Sequence, residues 1–561
     1  MLHCGVPVTC LGAPPLNVVL LLLDDMRYDQ VAAMPEVTDR LVGGGLSFTR
    51  AYAATPLCAP ARASLLSGGY PTHEVGVLTN EIPNGGIQRF VDVDTLATRL
   101  QEQGYTTALI GKYLNGYDEW FPYIAPGWTE WIAWIEQEDW SSYALVEGGS
   151  TPAGPESGAV VHHDDYIADH QADAAIDFIT RHAEDPFFLY VPFLAPHTPH
   201  TPASEDESAF ADYRYRGGAY QEADLSDKPE WMRRRVLLSP AQEADADAVN
   251  RQQLQSLLPV DRAIGAILDT LDAAQLSDHT LVIFTSDNGQ LWGEHRLFDK
   301  GLAYEESIHV PLVIWAPGGV QGEDDSLVSM TQDVAATMTS ATGLTRRSDG
   351  LDLLPRLCGV TTRERDHLLL QGWATANPDW AAVLTPRYKY VEWTSGDTEL
   401  YDRETDPTES TSLHAAPDQA ANAAALAAIL AAERALDVAT INLPVAATGI
   451  PYETTLATWG GVPPYTWSLH SEALPPGLLL HTDGSITGTA RQPGDYVFTV
   501  TVSDGGRSPY HGGPQRVVAT VRLTVTGEPM CGCLASGPVS GSALWLACGV
   551  AWLRRRRGAG A

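Results

Sequence analysis

Residues 16–25 read LNVVLLLLDD, an uninterrupted apolar run that stops at Asp24 and Asp25. Val and Leu without alternation are typical of a strand that is buried on both faces of a parallel sheet. Open α/β sheets bind their ligands beyond the carboxyl ends of the strands. Two adjacent carboxylates at such an end suit a hard divalent cation. Taken alone, the pair would by default be explained as two polar residues that end a strand.

Three further apolar runs also end in polar residues. The runs, each with the residues that follow it, are 106–110 with Lys112, 187–194 with His197 and His200, and 280–285 with Asp287 and Asn288. Between them, segments 166–182 and 254–271 carry apolar residues at helical spacing. Strands that alternate with helices predict a mostly parallel sheet sandwiched by helices, an α/β fold. Because parallel strands end on one edge, we expect the polar residues to form a single site.

Residues 57–68, LCAPARASLLSG, place Pro60 two positions and Arg62 four positions after Cys58. A lone cysteine is more often a small buried hydrophobic residue than a catalytic group. The spacing, however, resembles the sulfatase signature Cys-x-Pro-[Ser/Ala]-Arg. In that family the cysteine is oxidised to formylglycine, and the hydrated aldehyde is the nucleophile. The resemblance therefore implies that Cys58 is modified, and that a formylglycine-generating enzyme is a partner in maturation.

Residues 16–440 resemble a sulfatase of the alkaline-phosphatase superfamily. The matching motifs, in order, are Asp24-Asp25, the segment 58–62, Gly111-Lys112, His197, Asp287-Asn288-Gly289 and Lys300. Carboxylate and amide oxygens suit Ca²⁺. The predicted ligands of one Ca²⁺ are Asp24, Asp25, the side chain at position 58, Asp287 and Asn288. The predicted catalytic residues are Cys58, Arg62, Lys112, His197 and Lys300.

A sulfate ester is anionic, and attack at sulfur adds charge around it, so the site has to neutralise that charge. Three carboxylates around one divalent ion leave excess negative charge. Arg62, Lys112 and Lys300 are therefore the predicted cations around the sulfate. The leaving alcohol needs a proton, which by family analogy comes from His197 or Lys300.

The segment 111–117, GKYLNGY, indicates a branch within the family. Many sulfatases carry Gly-Lys-Trp-His here, whereas this version is similar to N-acetylglucosamine-6-sulfatases and their heparan-acting relatives. Asn115 stands where other members have a catalytic histidine. We predict that Asn115, His200 and His295 contact a sulfated sugar of the N-acetylglucosamine-6-sulfate type.

Two alternatives to this function stay open. The first is an arylsulfatase, or a phosphodiester or phosphonate hydrolase of the same superfamily, which would use the same nucleophile and metal. The second is a catalytically silent, surface-anchored glycan-binding protein. Retention of the cysteine, the cations and the metal set argues against the silent protein.

The formal net charge of the chain is -35 at pH 7. Nucleic-acid binding needs a basic surface, so the composition argues against a nucleic-acid partner. The same charge disfavours long-range capture of an anionic glycan, and such a substrate therefore needs a local basic site.

The sequence predicts several units along the chain. They are a leader of open role at 1–15, a sulfatase domain at 16–440 with a small antiparallel C-terminal subdomain from about 360, an all-β module at 441–528, and a tail at 529–561. The module is rich in Pro, Gly, Thr and Val with alternating strands, and it resembles immunoglobulin-like or cadherin-like modules of bacterial surface proteins.

The tail contains Cys531-Gly532-Cys533, an uncharged segment at 534–553 and four arginines at 554–557. Twenty uncharged residues can just cross a bilayer, with the arginines on the cytoplasmic side. The pattern is similar to sorting signals on surface proteins of myxobacteria. It predicts an exported bacterial protein that is anchored in the membrane or at the cell surface.

Overall fold

The computed structural model describes residues 16–527 with short gaps. The gaps are residues 72–74, 83, 152–153, 156–157, 345–347, 363, 374–376, 435, 439–441, 460, 462–463, 472–473 and 506–514. The predicted leader at 1–15 and the predicted tail at 529–561 lie outside the described residues.

A ten-stranded sheet forms the centre of the larger, N-terminal part of the chain. In chain order its strands are β1 Asn17–Asp24, β2 Leu46–Phe48, β3 Thr106–Gly111, β4 Glu130–Asp139, β5 Ser142–Gly148, β6 Ala159–His163, β7 Phe187–Pro196, β8 Thr280–Ser286, β9 Leu312–Trp315 and β10 Gly322–Asp324. In space they run in the order β10-β2-β9-β8-β1-β7-β3-β4-β5-β6.

The four predicted strands are the centre of this sheet. Strand β1 pairs in parallel with β7 on one side and β8 on the other, and β7 pairs in parallel with β3. All side chains of β1, β7 and β8 are buried, which explains why these runs contain no alternating polar residues. The strands β9, β5 and β6 are joined antiparallel, so the sheet is parallel at its centre and mixed toward both edges.

Helices cover both faces of the sheet, as predicted. The longer helices are α1 Cys58–Ser67, α2 Leu96–Glu102, α3 Ile167–Arg181, α4 Pro240–Ala273 and α5 Met330–Ala341. Short helices lie at Glu230–Arg233, Glu305–Ile308 and Leu354–Leu357. Alternate residues of β1 enter two cores: Leu20 packs in the core that includes α1, α2 and α5, and Leu21 packs in the core that includes α3 and α4.

A small antiparallel sheet follows the central domain. Its strands are β11 Leu368–Gly372, β12 Trp380–Leu384, β13 Tyr388–Trp393 and β14 Thr398–Asp402, and the helix α6 Ala420–Arg434 packs on it. The all-β module beyond it contains two sheets. Its longer strands are β15 Pro451–Thr455, β16 Thr466–Ser471, β17 Leu478–Leu480, β18 Ser485–Thr489, β19 Gly494–Ser503 and β20 Arg516–Thr526. Two-residue strand pairs complete the structure.

The predicted membrane anchor requires a correction. Among the helices of the described residues, none combines the length and the apolar character needed to cross a membrane. This finding contradicts the predicted membrane-anchored or cell-surface localisation, and the predicted span at 534–553 lies outside the described residues.

Gly111 ends β3 at a position that no other residue can occupy without disturbing the sheet. Its φ is 135°, and a Cβ atom there would lie 2.1 Å from the carbonyl oxygen of Pro192. Gln171 links the backbones of β3 and β7 at this point, since its Nε2 donates to the carbonyl oxygens of Ile110 (3.0 Å) and Pro192 (3.2 Å). The backbone can therefore approach β7 closely and deliver Lys112 to the sheet edge.

We expect Gly111→Ala to lower the melting temperature far more than Gly104→Ala. Gly104 precedes the same strand with a φ of 88°, but a Cβ atom added there would meet nothing within 4 Å. In Gly104→Ala the only cost is the positive φ of a non-glycine residue, about 1–3 kcal/mol. In Gly111→Ala the new Cβ atom also clashes with the carbonyl oxygen of Pro192. Thermal unfolding of both variants measures the difference, and equal melting temperatures would contradict the role assigned to the close approach.

Candidate active site

The carboxyl ends of β8, β1, β7 and β3 lie next to one another. They carry the polar residues identified in the sequence: Asp287 and Asn288, Asp24 and Asp25, His197, and Lys112. The chain turns sharply after β1, where Asp25 has a φ of 71°. Its backbone N–H donates to Asp287 Oδ1 at 3.1 Å, which stabilises this unusual conformation. The sheet thus brings residues more than 260 positions apart into contact.

Three carboxylates form the centre of the site. Oxygens of Asp24, Asp25 and Asp287 lie within 4.8 Å of one another, and all three side chains are buried. Asn288 Nδ2 donates to Asp25 Oδ1 at 2.7 Å, while its buried Oδ1 has no hydrogen-bond partner within the described part of the chain. An unsatisfied buried acceptor beside three carboxylates is what a bound cation would satisfy. The donor set therefore fits a divalent metal ion.

Three buried cations balance these carboxylates. Arg62 Nε donates to Asp287 Oδ2 at 2.8 Å, Lys112 Nζ pairs with Asp24, and Lys300 Nζ pairs with Asp25. Burial alone would raise the pKa of Asp24, but the positive charges, Lys112 foremost, hold that pKa well below its usual range. Burial likewise disfavours the charged lysines, but the carboxylates outweigh it and raise the pKa values of Lys112 and Lys300. Both lysines therefore stay charged.

Asp287 is the exception among the carboxylates. Burial and the neighbouring charge of Asp24 raise its pKa to about 6. Arg62 opposes this effect, but its guanidinium is shared. Nη1 donates to the carbonyl oxygen of Lys112 at 2.9 Å, and Nη2 lies 3.6 Å from Asp24 Oδ2. The positive charge of the neighbouring side chains therefore does not offset the burial of Asp287.

Cys58 is the first residue of α1 and is fully buried against this cluster. Its Sγ lies 3.4 Å from Asp24 Oδ1 and 2.9 Å from Lys300 Nζ. The N-cap residue Leu57 offers no side-chain acceptor, and Asn80 Oδ1 instead accepts a bond from the N–H of Ala59 at 2.9 Å. Burial and the charge of Asp24 raise the pKa of the Cys58 thiol to about 12. An unmodified thiol here is a poor nucleophile at neutral pH.

A cavity of ≈ 440 Å³ opens beside the cluster. It is lined by Asp24, Lys112, Tyr113, Leu114, Asn115, Gly116, Tyr117, Asp118, Trp134, Ile135, Leu194 and His197. His197 Nε2 lies 3.9 Å from Asp25 Oδ2, and burial lowers the pKa of this histidine. His200 follows it closely, with Nδ1 at 2.6 Å from the carbonyl oxygen of Pro196, and burial lowers its pKa as well. The structure therefore brings Asn115 and His197 to the cavity wall.

His295 is not among the residues that line this cavity, and its predicted contact with substrate stays a prediction. Its side chain is fully buried, its Nδ1 lies 2.6 Å from Glu222 Oε2, and its ring packs on Tyr304 at 4.3 Å. Burial and nearby lysines, Lys228 first, lower its pKa to about 3. A neutral histidine enclosed in this way supports the fold and does not line the cavity.

Several residues of the site were not found from the sequence. Asn80 caps α1, Gln171 supports the end of β3, and Asp118 and Trp134 line the cavity. None of the four lies in a recognisable motif. Asp118 was the most accessible to sequence reasoning, because it follows the 111–117 segment directly.

Comparison with known proteins identifies the family of this chain. The Sulfatase family profile matches residues 16–344, which is more than half of the chain. The chain belongs to the sulfatase family. A second profile, N-sulphoglucosamine sulphohydrolase, C-terminal, matches residues 293–444, and an Ig domain profile matches residues 432–526. The predicted immunoglobulin-like module is thereby confirmed.

Individual relatives are similar over part of their length. Human N-acetylglucosamine-6-sulfatase is 29% identical over 375 residues, which are 64% of this chain and 67% of that protein. The chain spans only 51% and 32% of the lengths of two other relatives, from Caenorhabditis elegans and Drosophila melanogaster.

Two solved structures share the fold. One, described as a complex with its substrate D-glucosamine-2-N,6-O-disulfate, has a TM-score of 0.64 and 22% identity, covering 74% of this chain and 97% of its own. The other, a phosphonate monoester hydrolase of Agrobacterium radiobacter, has a TM-score of 0.59 and 24% identity, covering 74% and 95%. At these identities the likeness concerns the fold alone.

Protein that carries unmodified Cys58 is expected to resist alkylation at this residue while folded. With a pKa of about 12, only about one thiol in ten thousand is ionised at pH 8, against roughly a quarter for a free cysteine. Iodoacetamide labelling followed by peptide mass spectrometry measures the rate, with the same chain in guanidinium as the control. Equal labelling rates in the two conditions would refute the described burial of Cys58.

Proposed function

We propose that this chain hydrolyses sulfate esters of sugars, with formylglycine at position 58 as the nucleophile and Ca²⁺ as the metal. The observation that carries the proposal is the placement of the Cys58 side chain, at 3.4 Å from Asp24 and 2.9 Å from Lys300, within the acidic cluster of a sulfatase-family chain. A hydrated aldehyde there would supply a nucleophilic hydroxyl, and its second hydroxyl would allow the sulfate to be released.

Asp24, Asp25, Asp287 and Asn288 would hold the Ca²⁺, together with the side chain at position 58. The unsatisfied Oδ1 of Asn288 and the raised pKa of Asp287 both support a cation at this place. Once bound, the metal would supply positive charge that lowers the pKa of an attacking hydroxyl. Oxygen-only ligands favour Ca²⁺ over metals that prefer imidazole or thiolate.

Lys112, Lys300 and Arg62 would hold the sulfate group. Their charges are already balanced by carboxylates, so a divalent cation that takes over those carboxylates leaves the lysines free to bind the anionic ester. Because these groups are fixed and shielded from water, they stabilise developing charge more strongly than solvent does. Arg62 Nη2, which lies 3.6 Å from Asp24 Oδ2 and makes no hydrogen bond among the described residues, would bind the hydrated aldehyde.

His197 is the stronger candidate for the group that protonates the leaving alcohol. It lines the cavity and is 26% exposed, whereas Lys300 is enclosed between Asp25 and Cys58. We assign Lys300 the role of orienting the nucleophile, and His197 the transfer of a proton at the sugar oxygen. His200, next to His197, would contact the same part of the substrate.

The proposed substrate is a sulfated sugar of the N-acetylglucosamine-6-sulfate type. The segment 111–117 that indicated this branch forms much of the cavity wall, and Asn115 contributes to it. Human N-acetylglucosamine-6-sulfatase is among the relatives. The alternatives are an arylsulfatase and a phosphonate or phosphodiester hydrolase, for which the Agrobacterium structure offers a likeness in fold.

The test of the proposal is an assay of the full chain co-expressed with a formylglycine-generating enzyme. We expect sulfate release from N-acetylglucosamine-6-sulfate and loss of that activity, by about three orders of magnitude or more, in Cys58→Ala, since the nucleophile is missing. Peptide mass spectrometry first establishes conversion at Cys58. A fully converted protein that releases no sulfate but cleaves phosphonate esters would favour the alternative hydrolase. A converted protein inactive on all esters that still binds the sugar would favour the silent glycan-binding protein.

Removal of metal is expected to abolish activity, and Ca²⁺ is expected to restore it. Treatment with EDTA removes an ion bound by oxygen ligands, while the protein remains folded on its two large cores. Asp287→Asn, which keeps the shape of the side chain, should weaken Ca²⁺ binding in calorimetry. Full activity of the wild-type chain after metal removal, verified by elemental analysis, would rule out a metal requirement.

Activity on two substrates with different leaving groups can distinguish the role of His197 from that of Lys300. 4-Nitrophenolate leaves without protonation, but a sugar alkoxide does not. We expect His197→Gln to lose ~10²–10³-fold activity on the sugar sulfate and far less on 4-nitrophenyl sulfate. Lys300→Gln should impair both substrates alike. Equal losses of His197→Gln on the two substrates would refute its role as the proton donor.

A further inference from the structure

A second cluster of metal-binding side chains lies away from the candidate active site, at the β6 edge of the sheet. Glu147 is on β5, His163 ends β6, and His170 is in the first half of α3. One ligand-capable atom from each side chain lies within 4.8 Å of the other two. The strands β5 and β6 are separated from the strands of the active site by β4.

The geometry orients both imidazoles toward one point. The rings of His163 and His170 have centroids 4.2 Å apart, and His163 Nε2 lies 2.9 Å from Glu147 Oε1. Tyr143, opposite His163 in the neighbouring strand, stacks on its ring at 5.7 Å with an interplanar angle of 15°. Both histidines thus have a fixed ring position, which is what a metal site requires of its ligands.

A second carboxylate, that of Asp165, contacts His170 and Tyr143. Its Oδ2 lies 3.2 Å from His170 Nδ1, and its Oδ1 accepts a bond from the Tyr143 hydroxyl at 2.7 Å. A carboxylate on one imidazole nitrogen leaves the lone pair of the other nitrogen available, and such pairs are the usual outer support of metal-bound histidine. The two carboxylates also give the site negative charge around two histidines that bind metal in their neutral form.

We propose that Glu147, His163 and His170 bind a zinc ion. Two imidazoles and one carboxylate are a ligand set that Zn²⁺ accepts, with a fourth position left for water. The site differs chemically from the acidic cluster, where oxygen ligands favour Ca²⁺. The side chains are 18% to 36% exposed, so an ion can reach them from solvent. The bound ion would join the edge strand β6 to β5 and α3.

The test uses the full chain in buffer that contains excess Ca²⁺, so that the acidic cluster is occupied. We expect calorimetric titration with Zn²⁺ to give about one equivalent bound per chain, and Zn²⁺ to raise the melting temperature. Both effects should vanish in the His163→Ala, His170→Ala double variant. Glu147→Gln, which removes only the charged ligand, should weaken binding by at least about tenfold.

Two control variants separate this cluster from neighbouring histidines and from the active site. His162→Ala changes the adjacent, exposed histidine of the same strand and should leave Zn²⁺ binding unchanged. Asp24, Cys58 and His197 form a separate group that could take a transition metal. Cys58→Ala disrupts that group and should also leave Zn²⁺ binding unchanged. Circular dichroism without Zn²⁺ establishes that each variant is folded. No Zn²⁺ uptake by the wild-type chain, or equal uptake by the folded double variant, would overturn the proposal.

Discussion

The structure depends on the pairing of three buried carboxylates with three buried cations at one edge of the sheet. Asp24, Asp25 and Asp287 could not be enclosed without positive charge beside them, because an unpaired buried carboxylate is strongly destabilising. The pairs Lys112–Asp24 and Lys300–Asp25 supply part of that charge. The packing of the sheet and helices has to offset the unfavourable free energy of removing these charged groups from water.

The central strands make this pairing possible. Because β8, β1, β7 and β3 are parallel and almost fully enclosed, their ends form one row with fixed spacing, and the polar residues lie at these ends or within two residues beyond them. Helix α1 adds Cys58 and Arg62 from the same face. One segment of ten residues thereby places both the proposed nucleophile position and the cation that pairs with Asp287.

Most of the site was predictable from the sequence because strand ends in a parallel sheet share an edge. That rule places Asp24, His197 and Asp287 together without any knowledge of their contacts. The rule does not apply to His295, which follows no strand of the central sheet although it is only five positions from Lys300. His295 lies in the turn of a short hairpin that pairs Leu291–Trp292 with Phe298–Asp299, and its φ is 51°. Asn288 and Lys300, which both contact Asp25, flank the open end of that hairpin. Spacing in sequence carries no sign of this reversal.

Helix boundaries show a similar limit. The apolar spacing at 254–271 identified the second half of α4, but the helix begins at Pro240 and its first half is largely polar. Polar stretches hold no periodic signal, so the sequence underestimates such helices. The role of Asn80 could not be predicted for a different reason. Its side chain accepts a hydrogen bond from Ala59, 21 positions earlier, and only the folded chain brings the two residues together.

The complete enclosure of Cys58 bears on the proposed oxidation of its thiol. An enzyme that carries out this oxidation would have to reach the segment before α1 closes onto the sheet. Maturation would then compete with folding, and a molecule that folded first would keep its cysteine. The active fraction of a preparation would record which of the two processes was faster.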